Sequence, residues 1–308
     1  MTKPNYAEHC ERIANKVIAL MNEHGADWVK PWATLGAPRN AHTGNHYTGI
    51  NSLVLAVAAE TEDYGSPYWA TYKQWQAVTG DDGKPANVRK GEKARDYVLF
   101  WSPWFVCQTC GAKGKAQPKC KDKGHDVKKR LIDRLTAVFN AAQVDNCPAR
   151  FLNIADTAKT VDRIPEIDSW FAGIGAKVRH GGDVASYVPT IDAITMPHID
   201  VFDDAGAYYS TLAHEHVHWS GAESRLNRSL SMDREAYAFE ELVAEMGAAM
   251  VSALVGWSPE PRADHAKYLN NWKARLADDP KAIYQAAKLA GKACEFLDGL
   301  ATAVADAA

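Results

Sequence analysis

The sequence predicts an α+β protein in two parts: a mixed α/β front, and a mainly helical back that carries a small edge-stranded sheet. Three observations predict it. Helical periodicity dominates residues 149–308, whereas the front interleaves short helices with β-branched and aromatic runs. Charge divides the same way: residues 1–148 carry 20 Lys and Arg against 15 Asp and Glu, and residues 149–308 carry 15 against 23. With 46% hydrophobic and 24% charged residues over 308 positions, the chain has enough apolar side chains for two cores. The expected boundary lies at Asn146-Cys147-Pro148, giving domains 1–148 and 149–308.

A first helix is expected over residues 5–24, with Ile13, Val17, Ile18 and Met21 on one stripe and Gly25 as its stop. A turn-rich aromatic stretch follows, then a short apolar helix over residues 51–59. Thr71-Tyr72-Lys73-Gln74-Trp75 reads as a helix start. Tyr97–Trp101 and Leu135–Asn140 read as paired strands, with a Lys/Gly/Cys-rich excursion over residues 106–130 inserted into their hairpin. Residues 165–178 read as a helix. Residues 187–197 read as a short strand pair that Pro189 and Pro197 confine to edges or ends. Helices over 205–220, 233–255 and 281–304 complete the chain.

No run approaches about 18 apolar residues, so no membrane partner is expected. The first residues lack the apolar stretch of a secretion signal, which points to the cytoplasm. Six cysteines then read as reduced thiols or metal ligands. Cys10, Cys147 and Cys294 have no ligand spacing and read as buried thiols.

The strongest chemical signal is His214-Glu215-His216-Val217-His218. Histidines four apart on a helix lie about 40° from one another around its axis and one turn along it, so both imidazoles can reach one metal. Glu215 is placed to act as general base. His216 projects about 200° from His214 and reads as a bystander. Ser224 stands where an x-x-Gly-x-x-His continuation would need histidine, so a third ligand is sought on a second helix. Phe239-Glu240-Glu241-Leu242-Val243-Ala244-Glu245 offers it. Glu241 and Glu245 share a face, and Glu240 points about 100° away. Glu241 is assigned as the ligand, and Glu245 as the outer carboxylate that orients a ligand histidine; spacing alone also permits the reverse. Three protein ligands leave an open position, the mark of a catalytic site. Zn²⁺ suits it, as do Mn²⁺ and other divalent ions. The natural reaction is peptide hydrolysis, with Tyr208, Tyr209, Arg225 and Arg228 as oxyanion candidates and the Tyr187–Pro197 strand as a rail for extended substrate. The alternative is a buried helix whose His and Glu make ordinary hydrogen bonds.

Six of the ten tryptophans precede residue 105, and residues 84–134 hold 14 Lys and Arg against 5 Asp and Glu. Cations for phosphates and aromatic faces for bases are what sequence-tolerant single-strand binding requires. The alternative is a tryptophan core beneath a solvated charged face. Inside the excursion, Cys107-x2-Cys110-x9-Cys120-x4-His125 has the spacing of a structural Cys3His zinc site, with Gly111 to turn the knuckle. Unpaired thiols in a disordered insert are its alternative.

Longer motifs carry a resemblance. Trp28-Val-Lys-Pro-Trp32, Pro38-Arg-Asn40, Thr43-Gly-Asn-His-Tyr47, Gly49-Ile-Asn51 and Ser66-Pro67-Tyr-Trp69-x-Thr71 belong together with Val88-Arg-Lys-Gly-Glu92 and Val138-Phe-Asn-Ala-Ala-Gln143. They are similar to a single-stranded-DNA-binding domain that also fronts some plasmid primases. Tyr209–Gly221, Arg225-Leu-Asn-Arg228 and Tyr237–Glu245 are similar to a zincin-like metallopeptidase domain. The combination resembles the ArdC-type antirestriction proteins of conjugative plasmids over nearly the whole chain; Cys107–His125 looks like an insertion. The resemblance implies a protein that binds incoming single-stranded DNA and protects it from host restriction. Candidate DNA contacts are Trp28, Trp32, Arg39, Asn40, Tyr47, Asn51, Trp69, Lys73, Arg89, Lys90 and Lys93. A protein substrate, a host restriction component among the options, is implied but not identified. Two further readings stay open: a metallopeptidase without a DNA role, and a non-enzymatic DNA-coating or restriction-blocking protein on a metal-stabilised scaffold.

Overall fold

The computed structural model describes residues 5–25, 28, 36–114, 116, 118–152, 162–228, 234–257 and 266–305. Helix α1 (Tyr6–His24) starts at a capping box: Asn5 Oδ1 accepts from the Glu8 N–H, and Glu8 accepts from the Asn5 N–H. It buries Ile13, Val17, Leu20 and Met21. Next come β1 (Arg39–Asn40), the largely buried α2 (Ile50–Thr61), β2 (Tyr68–Ala70) and α3 (Tyr72–Trp75), a single turn capped by Thr71. The strands β3 (Asn87–Val88), β4 (Asp96–Cys107), β5 (Lys113–Gly114), β6 (Val127–Asn140) and β7 (Val144–Asp145) follow.

The main sheet has the order β1-β2-β6-β4-β5, parallel only between β1 and β2, while β3 and β7 pair separately. All twelve residues of β4 pair with β6, from Asp96 opposite Val138 to Cys107 opposite Val127. The hairpin is therefore longer than expected. Only residues 108–126 leave the ladder, because backbone pairing carries the strands through the lysine-rich stretch where side-chain alternation fades. β2 reaches only Phe139 and Asn140, so outward of these β4 is the sole strand partner of β6 among the described residues.

In the back half α4 (Pro165–Ile174) stops at Gly175, short of the expected residue 178, and the chain re-emerges as an unexpected strand, β8 (Lys177–His180). With β9 (Ser186–Val188) and β10 (Ala193–Met196) it forms a sheet of order β8-β10-β9, parallel between β8 and β10. β10 is thus a central strand and β9 an edge. Helices α5 (Ala205–Ser220), α6 (Arg234–Val255) and α8 (Ala282–Ala305) match expectation closely; α7 (Ala266–Asp278) is an addition to the expected elements. One hydrophobic cluster runs from Ile13, Val17 and Leu53 to Leu242, Val251, Ile283 and Leu297, because α1 and α2 pack against the terminal helices. Cys10 is buried as expected, but Cys147 and Cys294 are only partly so. No helix among the described residues is long and apolar enough to cross a membrane.

Candidate metal centre

Helix α5 is capped by Asp204, whose Oδ1 accepts from the Ala207 N–H, and it buries almost every side chain from Tyr208 to Val217. On its face toward α6, His214 Nε2 and His218 Nε2 lie 3.0 Å apart. Glu241 closes the triangle, with Oε2 3.6 Å from His214 Nε2 and Oε1 3.5 Å from His218 Nε2. A tetrahedral divalent ion with nitrogen and oxygen ligands near 2.0–2.1 Å sets neighbouring donor atoms about 3.3 Å apart. The 3.0 Å imidazole pair matches that scale, and Glu241 presents one carboxylate oxygen to each ring, so one ligand atom from each of the three residues lies within 4.8 Å of the others. Two imidazole nitrogens facing each other at 3.0 Å also repel unless a proton or a cation sits with them. Burial alone would raise the Glu241 carboxyl, but the two imidazoles outweigh it and hold Glu241 well below the usual carboxylate range.

The far nitrogen of each ring faces a carboxylate. His218 Nδ1 hydrogen-bonds Glu240 Oε1 at 3.3 Å, while His214 Nδ1 stands 3.6 Å from Glu245 Oε2, near it but beyond a hydrogen bond. The Glu240 contact favours a proton on His218 Nδ1 and leaves its Nε2 free to ligate. Glu215 is buried, and its Oε2 accepts from the Tyr187 N–H at 2.7 Å, so the edge strand β9 aims the carboxylate. His216 points away, donating Nδ1–H to Leu212 O at 2.7 Å, and burial pushes its pKa down to about 4.

Two family models match the chain: the N-terminal domain of anti-restriction factor ArdC over residues 7–141, and a zincin-like metallopeptidase over residues 165–289. The metal-free crystal structure of the antirestriction ArdC protein from plasmid R388 superposes with a TM-score of 0.77 at 34% identity, covering 96% of this chain and 98% of that one. The chain belongs to the ArdC antirestriction family. The Mn(II)-bound structure of the same R388 protein aligns at a TM-score of 0.69 and 35% identity, over 95% and 97% of the two chains. A Sinorhizobium fredii protein, y4eC, is 36% identical over 93% of this chain and 90% of its own length. DNA primase TraC of Escherichia coli is 33% identical over 93% of this chain, which spans 20% of one form of TraC and 27% of another. The site accordingly suits a divalent metal.

The oxyanion candidates have other partners in this chain. The Tyr208 hydroxyl meets His180 Nε2 at 2.8 Å and Arg163 at 3.0 Å, and the Tyr209 hydroxyl meets the Ile164 N–H and Asp168. Arg225 spends its donors on Asp192, Trp219 O and the Tyr187 hydroxyl. Arg228 is buried against Glu240, Ser220 Oγ and Val217 O.

The DNA candidates divide by burial. Trp28 and Trp69 are fully buried, and Asn40 and Tyr47 are buried against each other through a 2.9 Å hydrogen bond, so none of these presents a face to a base. They are corrected to core positions. Asn51 is occupied too: it donates to Leu99 O at 2.9 Å and accepts from the Leu99 N–H at 2.6 Å. Arg39 is half-buried in β1. Lys73, Lys90 and Lys93 are exposed, and Arg89 is exposed but bound to Glu92 and Ala142 O. Trp32 lies outside the described residues. Sequence reasoning misses Tyr72 and Phe100, two of the exposed aromatics, at 49% and 42%.

Sequence reasoning misses Glu240 as well. Its carboxylate bridges His218 Nδ1 and the Arg228 guanidinium in a nearly dry layer. Arg228→Met will strand that charge, and chemical denaturation will show a destabilisation of about 3–5 kcal/mol. Metal affinity will fall about 10–100-fold as the support of His218 is disturbed, as read by titration with Mn²⁺.

Proposed function

We propose that this ArdC-family chain protects DNA by two activities: single-strand binding by residues 1–148, and metal-dependent peptide hydrolysis by residues 149–308. The observation that carries the hydrolytic half is the convergence of His214, His218 and Glu241 beside a Glu215 that an edge strand holds in place. A divalent ion such as Zn²⁺ or Mn²⁺ supplies Lewis acidity when bound, polarising a carbonyl and acidifying water. Glu215 takes the proton from the attacking water and returns it to the leaving amine. Glu240 keeps the His218 imidazole oriented through its Nδ1, and Glu245 places its charge beside His214. Among the described residues β9 is an edge strand, and beyond the Tyr187 N–H held by Glu215 an extended peptide pairs along it as an added strand. A protein component of host restriction is the substrate class that fits an antirestriction role.

For DNA, the exposed cations Lys73, Lys90 and Lys93 supply phosphate contacts, and exposed Tyr72 supplies a stacking face next to Lys73. The resemblance of this region to part of a DNA primase supports that reading.

Glu215→Gln tests the hydrolytic half. Bound metal will be retained while hydrolysis falls by about 10²–10⁴-fold. Protection of transferred plasmid DNA in a restricting host will fall with it. If protection persists in a metal-loaded Glu215→Gln protein, the carboxylate is dispensable and the domain serves as a scaffold.

A further inference from the structure

A second ligand cluster stands at the far end of the β4–β6 hairpin. The Sγ atoms of Cys107, Cys110 and Cys120 and a ring nitrogen of His125 all lie within 4.8 Å of one another. The Cys110 N–H points at Cys107 Sγ at 3.3 Å, and His125 Nδ1 stands 3.6 Å from the same sulfur. Gly111, at φ 72°, lets the knuckle turn and donates its N–H to Cys107 O. Cys120 sits on a 3-10 turn (Lys119–Lys123), and the Gln108 N–H to Asp126 O bond closes the base of the loop.

Residues 108–126 contain no Leu, Ile, Val, Met, Phe, Tyr or Trp. A loop of that length without large apolar side chains has no core of its own; backbone pairing of β5 with β4 holds one side of it, and a bound ion would tie the Cys120 and His125 side to the knuckle. Three thiolates and an imidazole form the soft, closed, tetrahedral set that selects Zn²⁺. Around them Lys113, Lys119, Lys121 and Lys123 are exposed, and Lys129 continues the exposed charge along β6. The three thiolates and the ion nearly cancel, so the lysines set the sign of the tip.

We propose that Cys107, Cys110, Cys120 and His125 bind a structural Zn²⁺, and that the ordered tip is a cationic finger that grips the phosphates of single-stranded DNA. The finger extends the binding surface of the front half and rests on that half binding DNA.

Two variants of the full chain test it. In Cys107→Ser/Cys110→Ser, elemental analysis will show one zinc equivalent fewer, with the His214/His218 metal retained. In Lys113→Glu/Lys119→Glu/Lys121→Glu/Lys123→Glu both metals will remain. Affinity for fluorescent oligo(dT) near 0.1 M salt will fall on the order of tenfold or more, and the salt slope will flatten by about 0.7 for each phosphate no longer neutralised. Zinc content indifferent to the cysteines overturns the metal site. A wild type that binds oligo(dT) beside a quadruple variant that binds equally well, with the same salt slope, overturns the finger alone. A wild type that does not bind oligo(dT) overturns the DNA reading of the front half and the finger with it.

Discussion

Purified His218→Ala protein will hold no Mn²⁺ between α5 and α6, and the thermal stabilisation that Mn²⁺ gives the wild type will disappear. The size of that stabilisation follows from mass action. At 100 to 1,000 times its dissociation constant, a ligand that binds only the folded state adds about 2.7–4 kcal/mol. For a chain of 308 residues that is roughly 4–6 °C in Tm. The site has reason to respond strongly, since Glu215, Glu240, Glu241 and Glu245 are all buried around two imidazoles. Arg228 is the guanidinium hydrogen-bonded into that layer, and it binds Glu240. Without a divalent ion the layer must neutralise itself with protons. His218 illustrates this: burial disfavours its charge, but the facing carboxylates Glu240 and Glu241 overcome the penalty and raise its pKa to about 9. Metal uptake therefore displaces a proton. Mn²⁺ is the probe of choice because a thiolate-rich set such as Cys107–His125 disfavours it. Scanning fluorimetry with chelator and with Mn²⁺ separates the outcomes. A His218→Ala protein that still gains the wild-type Tm increment would place the ion elsewhere.

The metal centre is legible in the sequence to the extent that it depends on one helix at a time. The spacing of His214 and His218 determines their common face on α5, and the i,i+4 relation of Glu241 and Glu245 determines theirs on α6. The role of Glu240 is not legible. An angular offset on α6 says where a side chain leaves that helix, but not that His218 Nδ1 and Arg228 wait on the other side. The aromatic front shows the same limit. Trp28 and Trp69 are fully buried while Tyr72 and Phe100 are exposed, and composition weighs an aromatic equally in either place. The strand at Lys177–His180 gives no alternating signal, because only Val178 is even half-buried and the strand is held by backbone pairing with β10. The β4–β6 hairpin combines both cases: its apolar root reads as strand, while its lysine-rich outer half reads as an excursion although the ladder runs through it.

Gly247→Ala will weaken metal binding about 10–100-fold without touching a ligand, and Val217→Ala in the same chain will restore much of it. The cause is the closeness of the two helices that carry the ligands. A Cβ at position 247 would stand 2.7 Å from Val217 Cγ2 and 3.0 Å from Cγ1. Val217 lies between His214 and His218, is fully buried, and as a β-branched residue in a helix has one favoured rotamer, so it cannot swing aside. The helices must separate instead, at a cost of about 1–3 kcal/mol. Glu241 and Glu245 ride on the displaced helix, and the edges of 3.5 and 3.6 Å that join Glu241 to the imidazoles lengthen with it. A metal-binding constellation tolerates about 0.5 Å of such drift. Val217→Ala removes both methyl groups and opens a cavity, so by itself it costs stability but leaves the helix spacing free to stay short. Positive coupling in the double-mutant cycle, read by Mn²⁺ titration and by denaturation midpoint, therefore reports helix spacing rather than a reduced core volume. A Gly247→Ala protein with wild-type Mn²⁺ affinity would mean that some other contact sets the distance between α5 and α6.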